Sequence, residues 1–196
     1  MLIIGLTGSI GMGKSLTSIM LRKMGCAVHS ADAAVHRLLG PGGAAIEPVG
    51  ALFPAARLGN MIDRKILSAE IFAAPAKRKQ LEAILHPLVR LDEEQKITRA
   101  HAAGRKAIIL DIPLLFETGA ERRCDATLCV TAPAWVQRHR VLARPGMTPE
   151  RFAQILAAQM PDADKRRRAD HVIHTGFGRC LTWRQLKLVM VRLGAA

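Results

Sequence analysis

Two hydrophobic rhythms alternate along the 196-residue chain. Leu2-Ile3-Ile4-Gly5-Leu6-Thr7 is a short continuous apolar run, which predicts a buried strand. Leu16, Ile19, Met20, Leu21 and Met24 then recur at helical spacing. Cys26-Ala27-Val28-His29 predicts a second strand ending at Ser30-Ala31-Asp32, and a helix from about Ala33 to Leu39 is stopped by Gly40-Pro41-Gly42-Gly43. Residues 40–60, rich in Gly, Pro and Ala, read as a connector with one short helix. From 63 to 103 the period is helical throughout: Ile66, Leu67, Glu70 and Ile71, then Leu81, Ile84, Leu85, Leu88 and Leu91, with Pro75 and Pro87 each placed in a first helical turn.

Strand-like runs return at Ala107–Asp111 and Ala126–Thr131, with a shorter one near His171–His174. A helix is predicted over Pro133–Ala143, broken at Pro145-Gly146. Another opens at Thr148-Pro149-Glu150, where a capping threonine precedes a first-turn proline. The last helix, about 180–193, is expected to be anchored by Leu181, Trp183, Leu188 and Val191. Strands alternating with helices predict an α/β fold with a doubly wound parallel sheet. Ligands of such sheets bind at the C-terminal ends of the strands. That rule gathers the stretch after Thr7, Asp32, Asp111 to Glu117, and Gly176. The expected organisation is a core of residues 1–60 and 104–196 with a helical insertion at 61–103.

Between the first strand and first helix lies Gly8-Ser9-Ile10-Gly11-Met12-Gly13-Lys14-Ser15, a gapless G-x-x-x-x-G-K-[ST]. Glycines free backbone N–H groups to close around phosphate oxygens, and the helix that follows offers its unpaired first-turn N–H groups to the same anion. Lys14 can reach the β- and γ-phosphates, and the Ser15 hydroxyl is placed to ligate Mg²⁺.

A 49% hydrophobic content supports a real core. The net charge of +13 admits nucleic acid, an anionic small molecule or a merely solvated basic surface. Aromatic residues are only 4%, without tyrosine, so base-stacking platforms are scarce. The four cysteines lack metal spacing; Cys26 and Cys129 read as buried thiols of a reduced, cytoplasmic protein. No apolar run approaches the ~18 residues of a membrane span, and the N-terminus reads as the first strand. From these residues, a small-molecule P-loop kinase, a nucleotide switch or a nucleic-acid ATPase stays open, although no Asn-Lys-x-Asp guanine motif occurs.

Several separated motifs then converge. Thr7–Ser15, Ala31-Asp32, Asp63-Arg64 with Leu67, His86-Pro87, Pro113-Leu114-Leu115-Phe116-Glu117, Gln137 with Arg140 and Arg144, Gln159, and Ala169-Asp170 before Val172-Ile173 together resemble the dephospho-coenzyme A kinase family, P-loop kinases of the nucleoside-monophosphate kinase type. Ser9, Leu16, Ser30 and Thr175 depart from its usual Gly, Thr, Asp and Asn.

The resemblance implies a P-loop NTPase core of five strands ordered 2-3-1-4-5, with a lid at about 138–168 and a helical substrate-binding insertion at 61–103. It also implies Mg²⁺, and ATP-dependent phosphorylation of the 3′-hydroxyl of dephospho-coenzyme A, with no nucleic-acid or membrane partner and a monomer expected. Gly11, Met12, Gly13, Lys14, Ser15, Leu16, Arg140 and Arg144 would hold ATP. Asp32, Arg64, His86, Leu114 and Glu117 would hold the acceptor, and Ser15 and Asp111 the metal. Asp32, Lys14 and Arg140 would be catalytic, with Asp32 preferred over Asp111 as the base. Asp32 can equally cap the helix that follows it. Arg140 and Arg144, four apart, should share one helix face. Lys165-Arg166-Arg167-Arg168 reads as surface charge.

Overall fold

The computed structural model describes residues 1–195. Its main sheet has five strands: β1 (Leu2–Thr7), β2 (Ala27–Ser30), β5 (Ala107–Asp111), β6 (Ala126–Thr131) and β7 (His171–His174), in the order β2-β5-β1-β6-β7. Counting only these five along the chain, the order is the expected 2-3-1-4-5. The pairings of β1 with β5, β1 with β6 and β6 with β7 are parallel; Ile4 lies beside Ile109 and Ala126, and Cys129 beside Val172. Every residue of β5 and β6 is buried, as strands covered on both faces require, so their side chains are selected for bulk and not for alternation.

The chain divides into two compact units, one comprising Met1–Val28 with the stretch from Ala100 to the C-terminus, the other His29–Arg99. In the first, α1 (Lys14–Lys23), α6 (Ala134–Leu142), α7 (Pro149–Ala157), α8 (Asp162–Arg168) and α9 (Arg179–Arg192) accompany the sheet. Leu6, Leu21, Ile109, Leu128, Val130, Ile173 and Leu186 belong to its core. The Thr148 hydroxyl caps α7 by accepting from the Arg151 N–H, as the sequence predicts. The last helix turns differently from expectation. Leu186, Val189 and Met190 face inward with the half-buried Trp183, while Leu181, Leu188 and Val191 are exposed. With apolar residues on nearly every turn, the sequence offers two candidate stripes, and packing against α1 and β7 selects between them.

The second unit holds α2 (Ala31–Leu39), α3 (Ile46–Leu52), a two-stranded antiparallel hairpin of β3 (Arg57–Leu58) and β4 (Met61–Ile62), α4 (Arg64–Ala73) and most of α5 (Pro75–Ala102). Its core joins Ile46, Val49 and Phe53 to Ile62, Leu67, Leu81 and Leu85. The apolar residues of 40–60 therefore belong to this packed core, which is why the unit is wider than 61–103. Pro87 is not in a first turn: it lies inside the 28-residue α5, where the helix continues without that residue's ladder hydrogen bond.

Candidate active site

The phosphate-loop candidate follows β1 and ends at Gly13, the N-cap of α1. Gly11 and Gly13 have φ of 78° and 91°, the left-handed region that side chains resist. Space forbids a side chain as well: a Cβ on Gly13 would lie 2.8 Å from Thr175 Oγ1, and one on Gly11 2.6 Å from Val141 Cγ2. Among the described residues no side chain caps α1, so its first-turn N–H groups stay available to an anion.

The loop is held from behind through its carbonyls. Gln137 Nε2 donates to the Ile10 carbonyl at 2.8 Å, Arg140 Nη1 to Gly11 O at 3.4 Å, and Thr175 Oγ1 to Met12 O at 2.7 Å. The Ile10 N–H donates to Gln159 Oε1 at 3.1 Å, and the Ala132 N–H approaches Met12 Sδ at 3.1 Å. Three negative carbonyl ends are thus occupied by donors, which lowers their repulsion toward a phosphate.

Asp111 ends β5 almost fully buried. One carboxylate oxygen accepts from Lys14 Nζ, and the other from Ser18 Oγ at 2.7 Å. The loop lysine is therefore paired and aimed, and Ser15 is exposed beside it in the first turn of α1. The chain after Asp111 is fastened in turn. Pro113 O accepts from Thr7 Oγ1 at 3.0 Å and from Lys165 Nζ at 2.9 Å. Glu117 Oε1 accepts from Lys165 Nζ at 2.8 Å and from the Met160 N–H at 2.8 Å. Burial pushes the Glu117 carboxyl up, but Lys165 and the Met160 N–H outweigh it and hold the group below the ordinary carboxylate range.

Three expectations change. Lys165 is wholly buried, because its ammonium finds Pro113 O and Glu117, so it is not surface charge. The rest of that run is paired: Arg166 with Asp162, Arg167 with Asp164, Arg168 with Glu121, the Arg168 guanidinium also lying 4.9 Å from the Phe116 ring centre. Arg144 lies beyond the end of α6 at Leu142, so it shares no helix face with Arg140. Asp32 is not a helix cap: Ser30 Oγ accepts from the Ala33 N–H, and Asp32 is exposed one residue inside α2.

Arg140 is half-buried and committed, donating to Gly11 O, to Thr175 Oγ1 at 3.1 Å and to Thr175 O at 2.8 Å. Thr175, read from the sequence only as a departure, is the residue that couples Arg140 to the loop. Lys165 and Ser18 also escaped sequence reasoning; the Lys165 signal was hidden in a basic run, and Ser18 carries none beyond lying one turn after Lys14. Asp170 fastens β6 by accepting from the Thr127 N–H and hydroxyl at 2.8 and 2.7 Å. In the second unit, exposed Arg64 opens α4 with Nη1 3.0 Å from His36 Nδ1, and His86 is exposed on α5. Leu114 is half-buried beside Pro113.

A glycine loop between a parallel strand and an uncapped helix, with its lysine paired to the carboxylate ending the neighbouring strand, defines a P-loop phosphotransferase. A family model described as Dephospho-CoA kinase matches residues 2–177, and the chain belongs to that family, whose members phosphorylate dephospho-CoA with ATP in the last step of coenzyme A biosynthesis. The chain is similar to the dephospho-CoA kinase of Rhodospirillum rubrum, 52% identical over 98% of this chain and 93% of the relative. It is also similar to that of Rhizobium meliloti, 47% identical over the whole of both. Among solved structures, a Thermus thermophilus protein superposes with a TM-score of 0.86 at 38% identity, covering 98% of this chain and 97% of the other. A Campylobacter jejuni dephospho-CoA kinase has the same fold, with a TM-score of 0.72 at 24% identity and coverage of 99% and 98%. No helix among the described residues is long and apolar enough to cross a membrane.

Proposed function

We propose that residues 8–15 cradle the phosphates of ATP and that the γ-phosphoryl group passes to the 3′-hydroxyl of dephospho-coenzyme A. The observation that carries this reading is the Lys14–Asp111–Ser18 cluster at the root of a loop whose carbonyls are occupied from behind. Backbone N–H groups from Gly11, Met12, Gly13, Lys14, Ser15 and Leu16 hold the phosphates, and Lys14 stabilises charge on the transferring group. The Ser15 hydroxyl, and the Asp111 carboxylate through a water, are hard oxygen donors of the kind that would hold Mg²⁺. When bound, that ion neutralises phosphate charge.

Asp32 accepts a hydrogen bond from the acceptor hydroxyl and orients it; its exposure just after β2 supports this. Arg64, His86, Leu114 and Glu117 bind the acceptor, Glu117 through the loop that it anchors. Arg140 and Arg144 serve ATP within a lid, 138–168, whose two ends are tethered by Arg140 and Lys165. The enzyme works as a cytoplasmic monomer without nucleic acid. The pairing of Lys165 to Arg168 supports the last point, since these charges are engaged within the protein.

A coupled assay of ADP release tests this, with dephospho-coenzyme A set against nucleoside and nucleotide acceptors and with short DNA and RNA titrated at low salt. Turnover confined to dephospho-coenzyme A and indifferent to nucleic acid supports it. Turnover only with another acceptor sinks it.

A further inference from the structure

Asp92, on α5, binds the chain on both sides of Asp32 with one oxygen. Its Oδ2 accepts from His29 at Nε2, 2.9 Å, and from Arg37 at Nη2, 2.7 Å. His29 lies in β2 and Arg37 in α2, three residues before and five after Asp32. The His29 ring is buried, and its Nδ1, without a hydrogen bond among the described residues, lies 4.0 Å from Oε2 of the buried Glu93. Burial pushes the Asp92 carboxyl up, yet Arg37 and His29 outweigh this and keep it below the ordinary range, so it is ionised at neutral pH.

We propose that Asp92 is a positioning residue for phosphoryl transfer, fixing the β2–α2 turn and thereby the carboxylate of Asp32. Apolar packing leaves this segment a need for such a tie. Only Ala34 and Leu39 of α2 are fully buried, with Val35 and Leu38 half-buried against the second core. Asp32 itself is exposed near the helix start, where fraying is greatest. Two donors sharing one oxygen on either side of it restrain the turn at both ends. A near-attack geometry depends on such restraint, since a shift of about 1 Å can cost roughly 10²-fold in rate. The second tie to α2, His36 with Arg64, engages a different helix, α4, and cannot replace the one through His29.

The proposal rests on Asp32 orienting the acceptor, and the experiment separates the two. Two variants are used: Asp92→Asn, and Arg37→Met, which removes one tie at a largely exposed side chain and so spares the fold. Each is assayed alone and combined with Asp32→Asn, with amide hydrogen exchange of residues 31–39 measured in parallel. The expected result is a fall in kcat of about tenfold with KM for ATP unchanged, faster exchange over 31–39, and no further loss in the Asp32→Asn background. Multiplicative losses in the double variants, or unchanged exchange over 31–39, overturn the positioning role. Wild-type kcat in Asp32→Asn alone overturns the Asp32 reading instead, whatever the exchange of the Asp92 variant.

Discussion

Lys165 and Glu117 tie the site together: the buried ammonium, without solvent exposure, donates to Glu117 Oε1 at 2.8 Å while also holding Pro113 O. It couples α8 to the chain that leaves Asp111. Replacing Lys165 by methionine keeps the packing volume but abandons Glu117 and the Pro113 carbonyl. A loss of about 1–3 kcal/mol is expected, the scale for a charge-assisted hydrogen bond whose remaining partner, Glu117, keeps access to water. Urea unfolding measures it, and a loss near zero would contradict the structural role.

The same pair sets an acid limb. Lys165 and the Met160 N–H hold the folded Glu117 carboxyl below the ordinary carboxylate range, so between its folded and unfolded values the unfolded chain binds more protons and stability rises with pH. The contribution is complete above the unfolded value and disappears as pH falls through the folded one. Glu117→Gln should therefore show a flatter decline in stability as pH falls below the ordinary carboxylate range. Parallel curves for the two proteins would exclude Glu117 from that limb.

Lys14→Ala should lose turnover while remaining folded, because Lys14 delivers charge to phosphate and is not a core residue. Circular dichroism and the coupled assay check both halves. Near-normal turnover in a folded protein removes the phosphate assignment.

Arg140→Ala should reduce turnover about 10²-fold. It should also lower the melting temperature, since the guanidinium holds Gly11 O and two atoms of Thr175. Arg140→Lys should recover little of either, lacking the planar fork. An unchanged melting temperature would show that these hydrogen bonds contribute nothing to the fold.

Thr175→Val deletes the hydroxyl that donates to Met12 O and accepts from Arg140, at nearly constant volume. A destabilisation of about 1–3 kcal/mol is expected, with a raised KM for ATP as the loop loosens. Nucleotide titration of the folded variant decides whether the loop is affected.

Asp32→Asn should cut turnover roughly 10²-fold and leave ATP affinity unchanged, the pattern for a group that handles the acceptor. Loss of ATP affinity as the main defect would transfer the base assignment to Asp111.

What the sequence by itself determined is local or contiguous. The glycine spacing around Lys14 defines the phosphate loop, because backbone conformation and the reach of adjacent N–H groups are short-range properties. The unbroken apolar runs of β5 and β6 mark central strands, since only strands covered on both faces select such runs. Alternation of strands and helices then leaves few topologies.

Tertiary structure decided the rest, where a side chain's fate depends on what arrives from far along the chain. A basic run carries no period that singles out Lys165; its burial depends on Glu117, 48 residues earlier in the chain. The apolar residues of α9 fit two faces until α1 and β7 pack against one. Residues 40–60 look like a connector until Phe53 and Val49 meet Leu67 and Leu81. Thr175 is an ordinary residue until β7 brings its hydroxyl to the Met12 carbonyl. A buried donor or charge is stable only once its partner is in place, and that partner is supplied by the fold.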